Sequence, residues 1–274
     1  MYGNCTGKNY AKIARKRMKA SVIISVYKDV AALKAVLRSL ERQTEQDFEV
    51  IISEDGTCAE MAEFIRRYSF CWPMQHLTQE DKGWRKNKAL NAAIMAAKAD
   101  WLIFVDGDCV LHPRFVETHL RYSAPNVVLA GKRVMLNSEL SDKVLQGKAI
   151  HLWPYLFSKR GCRLVEEGFY VPFAHWCRRK VRHLTGSNMS MSKADILAIN
   201  GFDENYVRPA IGEDFDIEWR LPANGCKIVS LRNLAVQYHL YHPENWTDDS
   251  ENKAYFERIK AQNQIICKNG IRKI

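Results

Sequence analysis

The sequence predicts an α/β fold with a mostly parallel central sheet flanked by helices. Two observations carry this reading. Short apolar runs alternate with helical patterns about four times in the first 125 residues, the signature of a sheet covered on both faces. Three of those runs also end in polar residues: Tyr27-Lys28-Asp29, Glu54-Asp55 and Asp106/Asp108. In a parallel sheet all three meet at one carboxyl edge, where such sheets bind ligands.

The elements follow in order. Ser21 to Val26 (SVIISV) is short, apolar and β-branched, a buried strand. Asp29 opens a helical pattern with Val30, Leu33, Leu37 and Leu40 on one face. Phe48 to Ser53 is a second strand, closed by the turn Glu54-Asp55-Gly56-Thr57. Met61, Phe64, Ile65 and Tyr68 mark another amphipathic helix, and Pro73 to Leu77 a weaker strand. Trp84 to Lys98 is Ala-rich and helical by propensity, Trp101 to Val105 is the next strand, and Pro113 starts a further helix. Beyond residue 125 the pattern loosens. Strands are read at Val127 to Met135, Met189 to Ser192 and Asn233 to Leu240. Helices are read at Lys193 to Ile199, Gly212 to Pro222 and Glu251 to Lys268. The stretch 151–177 is rich in aromatics and reads as a loop, a lid, a membrane-facing segment or simple packing beneath a loop.

Composition narrows the classes. Of 274 residues, 47% are hydrophobic and 26% charged, enough for a sizeable core. No apolar run approaches the roughly 20 residues of a membrane span, and no secretory signal is visible. Eight cysteines without a CxxC spacing are expected as reduced thiols, with Cys109 a small core residue. The net charge of +10 favours anionic partners. Its clusters, Lys8 to Lys19 and Arg178-Arg179-Lys180 with Arg182, read as solvated faces or as a contact with an anionic membrane surface. No nucleic-acid-binding pattern accompanies the charge, so nucleic acid is not expected as a partner.

Five motifs can carry chemistry. Asp106 and Asp108, two apart on an extended segment, face one side and can address one hard cation, Mg2+ or Mn2+, which bridges readily to phosphates. Glu54 and Asp55 can accept hydrogen bonds from a base or ribose; the plain alternative is an Asp-Gly turn. In the segment from Gln79 to Arg85, Asp81 can hold a base or sugar, while Lys82, Arg85 and Lys88 can offset diphosphate charge or be solvated. Gly212-Glu213-Asp214-Phe215-Asp216 is the best candidate for a general base, with helix capping as the alternative. His239 and His242 offer imidazole, a ligand that favours Mn2+ over Ca2+. Three apart on a strand they do not share a face, so one ligand is expected rather than two.

Taken in order, SVIISVYKD, ERQTEQDFEVIISEDGT, QEDKGWRKNKALNAAI, WLIFVDGDCVLHPRF and GSNMSMSKADILAINGFDENYVRPAIGEDFDIEWRL resemble the family 2 glycosyltransferases of the GT-A fold. The resemblance spans roughly residues 20–245 and is similar in type to chondroitin-polymerase-like and galactosyl- or N-acetylgalactosaminyltransferase domains. It implies a nucleotide-sugar half (20–125) and a smaller acceptor and catalytic-base half (126–245); outside it the residues themselves read as a basic flexible arm (1–19) and a C-terminal helix (246–274). Tyr27, Asp29, Glu54 and Asp55 would surround the nucleoside, with Asp81 and Lys82 nearby. Asp106 and Asp108, with Gly107 between them, would hold the donor diphosphate through Mn2+ or Mg2+. Asp214 would be the catalytic base, Glu213 would meet the acceptor, Asn188 would line the donor-sugar pocket, and His242, with His239 in reserve, would complete the metal shell. The chain departs from the family pattern at Glu54, where Asp is frequent, at Trp84, where Phe is usual, and at Leu90, where many members carry Arg; Arg85 or Lys88 would then substitute at the diphosphate.

The expected activity is inverting, metal-dependent transfer from a UDP-sugar to a glycan or lipid-linked oligosaccharide in bacterial surface polysaccharide assembly. The expected location is the cytoplasm, peripheral on the inner membrane face. A nucleotidyltransferase is the second reading, although SVYKDV lacks a Gly-rich phosphate loop. A non-catalytic basic binding module is the third.

Overall fold

The computed structural model describes residues 18–156, 161–173, 183–209, 212–243 and 248–274. The basic arm therefore falls outside the described residues except for Met18 and Lys19, and so do Arg178, Arg179, Lys180 and Arg182.

The first half alternates as its sequence predicts: β1 (Ala20–Val26), α1 (Val30–Leu40), β2 (Phe48–Glu54), α2 (Ala59–Arg67), β3 (Met74–Leu77), α3 (Lys86–Ala96) and β4 (Trp101–Asp106). β1 pairs parallel with β2 and with β4, and β2 pairs parallel with β3. The strand side chains sort by parity, as the pleat requires. Val22, Ile24, Val50, Ile52, Ile103 and Val105 pack with Leu33, Val36, Leu37 and Leu40 of α1. Ile23, Ile51, Leu102 and Phe104 pack on the other face with Leu90, Ala93 and Ile94 of α3. Both faces are buried, which is why these strands read as unbroken apolar runs.

The second half has short strands, of two to four residues: β5 (Cys109–Leu111), α4 (Phe115–Arg121), β6 (Val127–Ala130), β7 (Val134–Met135), α5 (Ser138–Leu145), α6 (Trp153–Leu156), β8 (Met189–Ser192), α7 (Lys193–Ala198), α8 (Glu213–Ala223), β9 (Lys227–Ser230), β10 (Gln237–His239) and α9 (Ser250–Ala261). Seven strands form one sheet in the order β3-β2-β1-β4-β8-β6-β9, with β8 antiparallel to both its neighbours. β5, β10 and β7 form a second, small sheet beyond the carboxyl edge.

Several boundaries differ from expectation. The strand expected from Val127 to Met135 is two strands in different sheets, because Gly131 leaves the large sheet. Its amide donates to Asn188 O (2.8 Å), and a Cβ there would lie 2.2 Å from the Asn188 side chain. The strand expected from Asn233 to Leu240 is only β10, since Leu231 to Ala235 closes as a turn, with Leu234 and Ala235 N–H both donating to Leu231 O. The helix expected from Pro113 starts at Phe115. The C-terminal helix stops at Ala261 instead of Lys268; the tail folds back, with Asn200 Nδ2 donating to Cys267 O (2.7 Å) and Arg272 O (2.8 Å). In the aromatic stretch, Tyr155 is buried, Phe169 packs beside it and Tyr170 stacks on His112, whereas Phe173 is 89% exposed. The side chains of Trp153, Phe157 and Trp176 lie outside the description.

Candidate active site

The strand register sets the site. Val26 lies opposite Glu54, and Ser25 opposite both Ser53 and Asp106, so β1, β2 and β4 end at one level. Asp106 is the last residue of β4, and the chain then turns at Gly107 and Asp108 into β5. A Cβ on Gly107 would sit 2.7 Å from Val26 Cγ1 and 3.0 Å from Ser25 O, so only glycine lets the turn close against β1. Asp106 and Asp108 thus converge through a turn, not through an extended segment, and Cys109 is a buried core residue beside them.

The small sheet brings the histidines. His239 pairs with Cys109, and Leu240 N–H donates to Asp108 O (2.9 Å). The strand ends at His239, so strand alternation no longer governs His242, and both rings face Asp108. Its Oδ2 lies 3.3 Å from His239 Nε2 and 3.5 Å from His242 Nε2. Strand alternation would part the two histidines, yet both reach the turn: ligand atoms of Asp108, His239 and His242 lie within 4.8 Å of one another. Burial opposes the charge on Asp108, but the imidazoles hold its carboxyl well below the usual range. The same contact, against burial, raises His242 to about 9.

The second acidic pair sits at the start of α8. Lys86, the first residue of α3, joins the two pairs: its Nζ donates to Asp106 Oδ1 (2.9 Å) and to Glu213 Oε1 (2.7 Å). Burial disfavours this ammonium, yet Asp106 and Glu213 raise it above its ordinary value. Arg133 Nη1 lies 3.5 Å from Asp106 Oδ2. Asp214 behaves differently. Burial, then the adjacent Glu213 charge, push its carboxyl up to about 7, against the pull of Lys86. A carboxylic acid poised near neutrality in a cleft is a candidate proton-transfer group.

The remaining predicted residues divide. Tyr27 is exposed, and Tyr27 Oη and Lys28 Nζ both reach Asp81 Oδ2 (3.4 and 2.7 Å). Asp55 ties β2 to the loop before α3, accepting from Gln79 Nε2 (2.6 Å) and Arg85 N (2.7 Å). Glu54 is buried against His76 (2.8 Å), and its Oε1 has no hydrogen-bond partner among the described residues. Asp29 caps α1, accepting from Ala32 N (2.8 Å). Asn188 is not a lining residue: fully buried, it donates to Lys132 O (2.8 Å) and Ala235 O (2.9 Å), and its Oδ1 meets His119 (3.2 Å). Lys82 pairs with Glu80 in solvent, Lys88 is exposed, and the Arg85 guanidinium turns back to Glu80 O. None of these three cations reaches the acidic turn; Lys86 does. Sequence reasoning missed Lys86 and Arg133. Lys86 carries a readable signal, since it lies four residues before Leu90 on the same helix face.

Fold and site together define a glycosyltransferase of the GT-A type. The chain belongs to glycosyl transferase family 2, whose profile matches residues 21–185; the profile described as N-terminal domain of galactosyltransferase matches residues 168–243. Membership removes the nucleotidyltransferase and non-catalytic readings. The chain is 25% identical over 263 residues to chondroitin synthase of Escherichia coli, covering 85% of this chain and 36% of that protein. It is 26% identical over 272 residues to validoxylamine A glucosyltransferase of Streptomyces hygroscopicus subsp. jinggangensis, covering 92% and 60%. It therefore spans less than two thirds of the length of either relative. Among solved structures, S. aureus TarS residues 1–349 in complex with UDP-GlcNAc matches with a TM-score of 0.61 at 16% identity, covering 89% of this chain and 66% of that one. The mannosyltransferase PcManGT of Pyrobaculum calidifontis, in complex with GDP-Man and Mn2+, matches with 0.57 at 14%, covering 85% and 59%. Among the described residues, no helix is long and apolar enough to cross a membrane.

Proposed function

We propose that the chain is an inverting, metal-dependent glycosyltransferase that moves a sugar from a UDP-sugar to a hydroxyl of a glycan or lipid-linked oligosaccharide in bacterial surface polysaccharide assembly. One observation carries this reading: the Lys86 ammonium bonded to both Asp106 and Glu213, which joins a donor-phosphate turn to a proton-accepting helix. The structural neighbour with UDP-GlcNAc and the chondroitin synthase relative support the donor and polymer class.

The donor set fits Mn2+, or less selectively Mg2+. Asp106 and Asp108 supply carboxylate oxygen, and His242, with His239 in reserve, supplies imidazole nitrogen. His242 is the better oriented, since its Nδ1 lies 3.0 Å from Pro243 O, whereas His239 Nδ1 is buried without a hydrogen-bond partner. The ion, when bound, contributes Lewis-acid charge to the leaving diphosphate. Lys86 and Arg133 add fixed positive charge at the same turn. Tyr27 and Asp81 border the nucleoside, and Asp55 with Gln79 shapes the floor beneath it. Asp214 accepts the proton of the acceptor hydroxyl while that oxygen attacks the anomeric carbon from the side opposite UDP, so the configuration inverts in one displacement. Glu213 stands beside the acceptor and keeps Asp214 basic. A peripheral contact of residues 1–19 with an anionic membrane, at the inner face, belongs to the same proposal.

Hydrolysis of a panel of UDP-, GDP- and dTDP-sugars, with and without Mn2+, tests it. Slow, Mn2+-dependent release of UDP from one sugar is expected. Metal-independent hydrolysis, or none from any UDP-sugar, would overturn it.

A further inference from the structure

Asp214 lines a cleft of about 490 Å3 whose other charged walls are Lys132, Arg133 and Arg163. Among the described residues three cations and one carboxylate therefore line it, and that carboxylate is partly protonated at neutral pH. The walls are fixed from behind. Asn188 Nδ2 holds Lys132 O (2.8 Å), and Arg163 is bridged to Met135 by two backbone hydrogen bonds of 2.9 and 3.0 Å. Arg133 has its anion in Asp106 and belongs with the donor turn.

Lys132 has no such anion. It is half-buried, its Nζ donates only to His183 O (2.7 Å) and Thr185 Oγ1 (3.4 Å), and among the described residues no carboxylate lies within 4.0 Å. Three acids act on it from further off: Glu167 is paired with Arg232, Glu218 accepts from Leu184 N (2.7 Å) and faces His183 (3.7 Å), and Asp214, across the cleft, has its own carboxyl raised to about 7. Burial holds the Lys132 ammonium below its ordinary value. A cation partly withdrawn from water without a counter-ion is unfavourable unless a ligand supplies the negative charge.

We infer that the acceptor carries an anionic group, a carboxylate or a phosphate, next to the hydroxyl that is glycosylated, and that Lys132 with Arg163 receives it. This rests on the reading of Asp214 as the base. Arg163 offers the planar fork that matches either anion, and Lys132 a point charge.

The test uses the full chain loaded with UDP and Mn2+ and two probe pairs: methyl β-glucuronide against methyl β-glucoside, and glycerol 3-phosphate against glycerol. Affinities are read by ligand-observed NMR titration. The charged member of one pair is expected to bind at least tenfold more tightly, and the responding pair distinguishes carboxylate from phosphate. Lys132→Gln should abolish the preference, Lys132→Arg should restore it, and Lys88→Ala, remote and exposed, should leave it intact. Equal binding within both pairs, or a preference that survives Lys132→Gln, overturns the inference while leaving the base assignment untouched. Full transfer by Asp214→Asn would instead remove the base assignment, whatever the probes do.

Discussion

The two acidic pairs of the site are built in opposite ways. Asp106 lies against Lys86 and Arg133, and Asp108, although burial opposes its charge, is held well below the usual carboxylate range by the imidazoles of His239 and His242. Glu213 and Asp214 open a helix, but burial and their own repulsion outweigh the one ammonium they share, so Asp214 titrates at about 7. A carboxylate held charged, as Asp108 is, suits a cation and a diphosphate; a carboxyl poised near neutrality, as Asp214 is, suits a proton in transit. Residue type does not separate these tasks, since all four are carboxylates. Environment does, and Lys86 is bonded to both pairs.

Asp214→Asn attacks the poised pair and should give the largest effect. Transfer should fall by about 10²–10⁴-fold, the usual contribution of a general base, while UDP binding stays within twofold of the native value by calorimetry. Stability gives a second reading. A carboxyl whose value is raised on folding contributes stability that is present below its ordinary value and is lost as pH rises through about 7. The Tm of Asp214→Asn relative to the native chain should therefore be higher at pH 8 than at pH 4. A Tm difference independent of pH would mean that Asp214 is not desolvated as described.

Asp108→Asn attacks the other pair. Loss of mere supporting contacts around a ligand costs about 10–100-fold, so Mn2+-dependent UDP release should drop by at least about a hundredfold. The pH dependence that remains should be native, because Asp214 is untouched. A shifted acid limb in this variant would show that the two pairs are not separable.

How much of this contrast was legible in the sequence depends on the length of the elements that carry it. β1, β2 and β4 are buried on both faces and bracketed by helices of helical period, so the donor edge could be read before any coordinates. β5, β7 and β10 have three, two and three residues, too short for a period, and their pairing decides that both histidines reach Asp108. Asn188 stood in a matching motif, yet burial gives it the task of holding Gly131 and Lys132 in place. Among the lysines of α3, composition could not choose. Helical geometry could have: Lys86 shares a face with the core residue Leu90, whereas Lys88 points away from it.

The bridge itself can be broken by charge. With Asp214 as the proposed base, native turnover should rise about tenfold per pH unit up to about 7, because only the ionised carboxyl accepts a proton. Lys86 lowers the Asp214 value and Glu213 raises it. Lys86→Gln should therefore move the acid limb of kcat/KM to higher pH, and Glu213→Gln should move it lower. Opposite shifts from neighbouring side chains are not expected of general misfolding. Two limbs that move together would contradict the shared-ammonium geometry.

The smallest effect is expected where the sequence first looked for diphosphate charge. Lys82 and Lys88 are exposed; Lys82 meets only Glu80, at 3.1 Å in open solvent. Exposed pairs and solvated lysines contribute about 0–1 kcal/mol. Lys82→Ala and Lys88→Ala should each leave the KM for UDP-sugar and the acid limb within about twofold of native values, a factor worth only a few tenths of a kcal/mol. The comparison with Lys86→Gln is informative because Lys86 and Lys88 lie two residues apart on one helix and carry the same charge. Long-range attraction for an anionic donor would be nearly the same from either and would fade with salt. A KM increase in Lys88→Ala that disappears at high salt would assign the helix a diffuse steering role. No change there, beside a shifted limb in Lys86→Gln, means that contact rather than net charge selects the lysine that serves both acidic pairs.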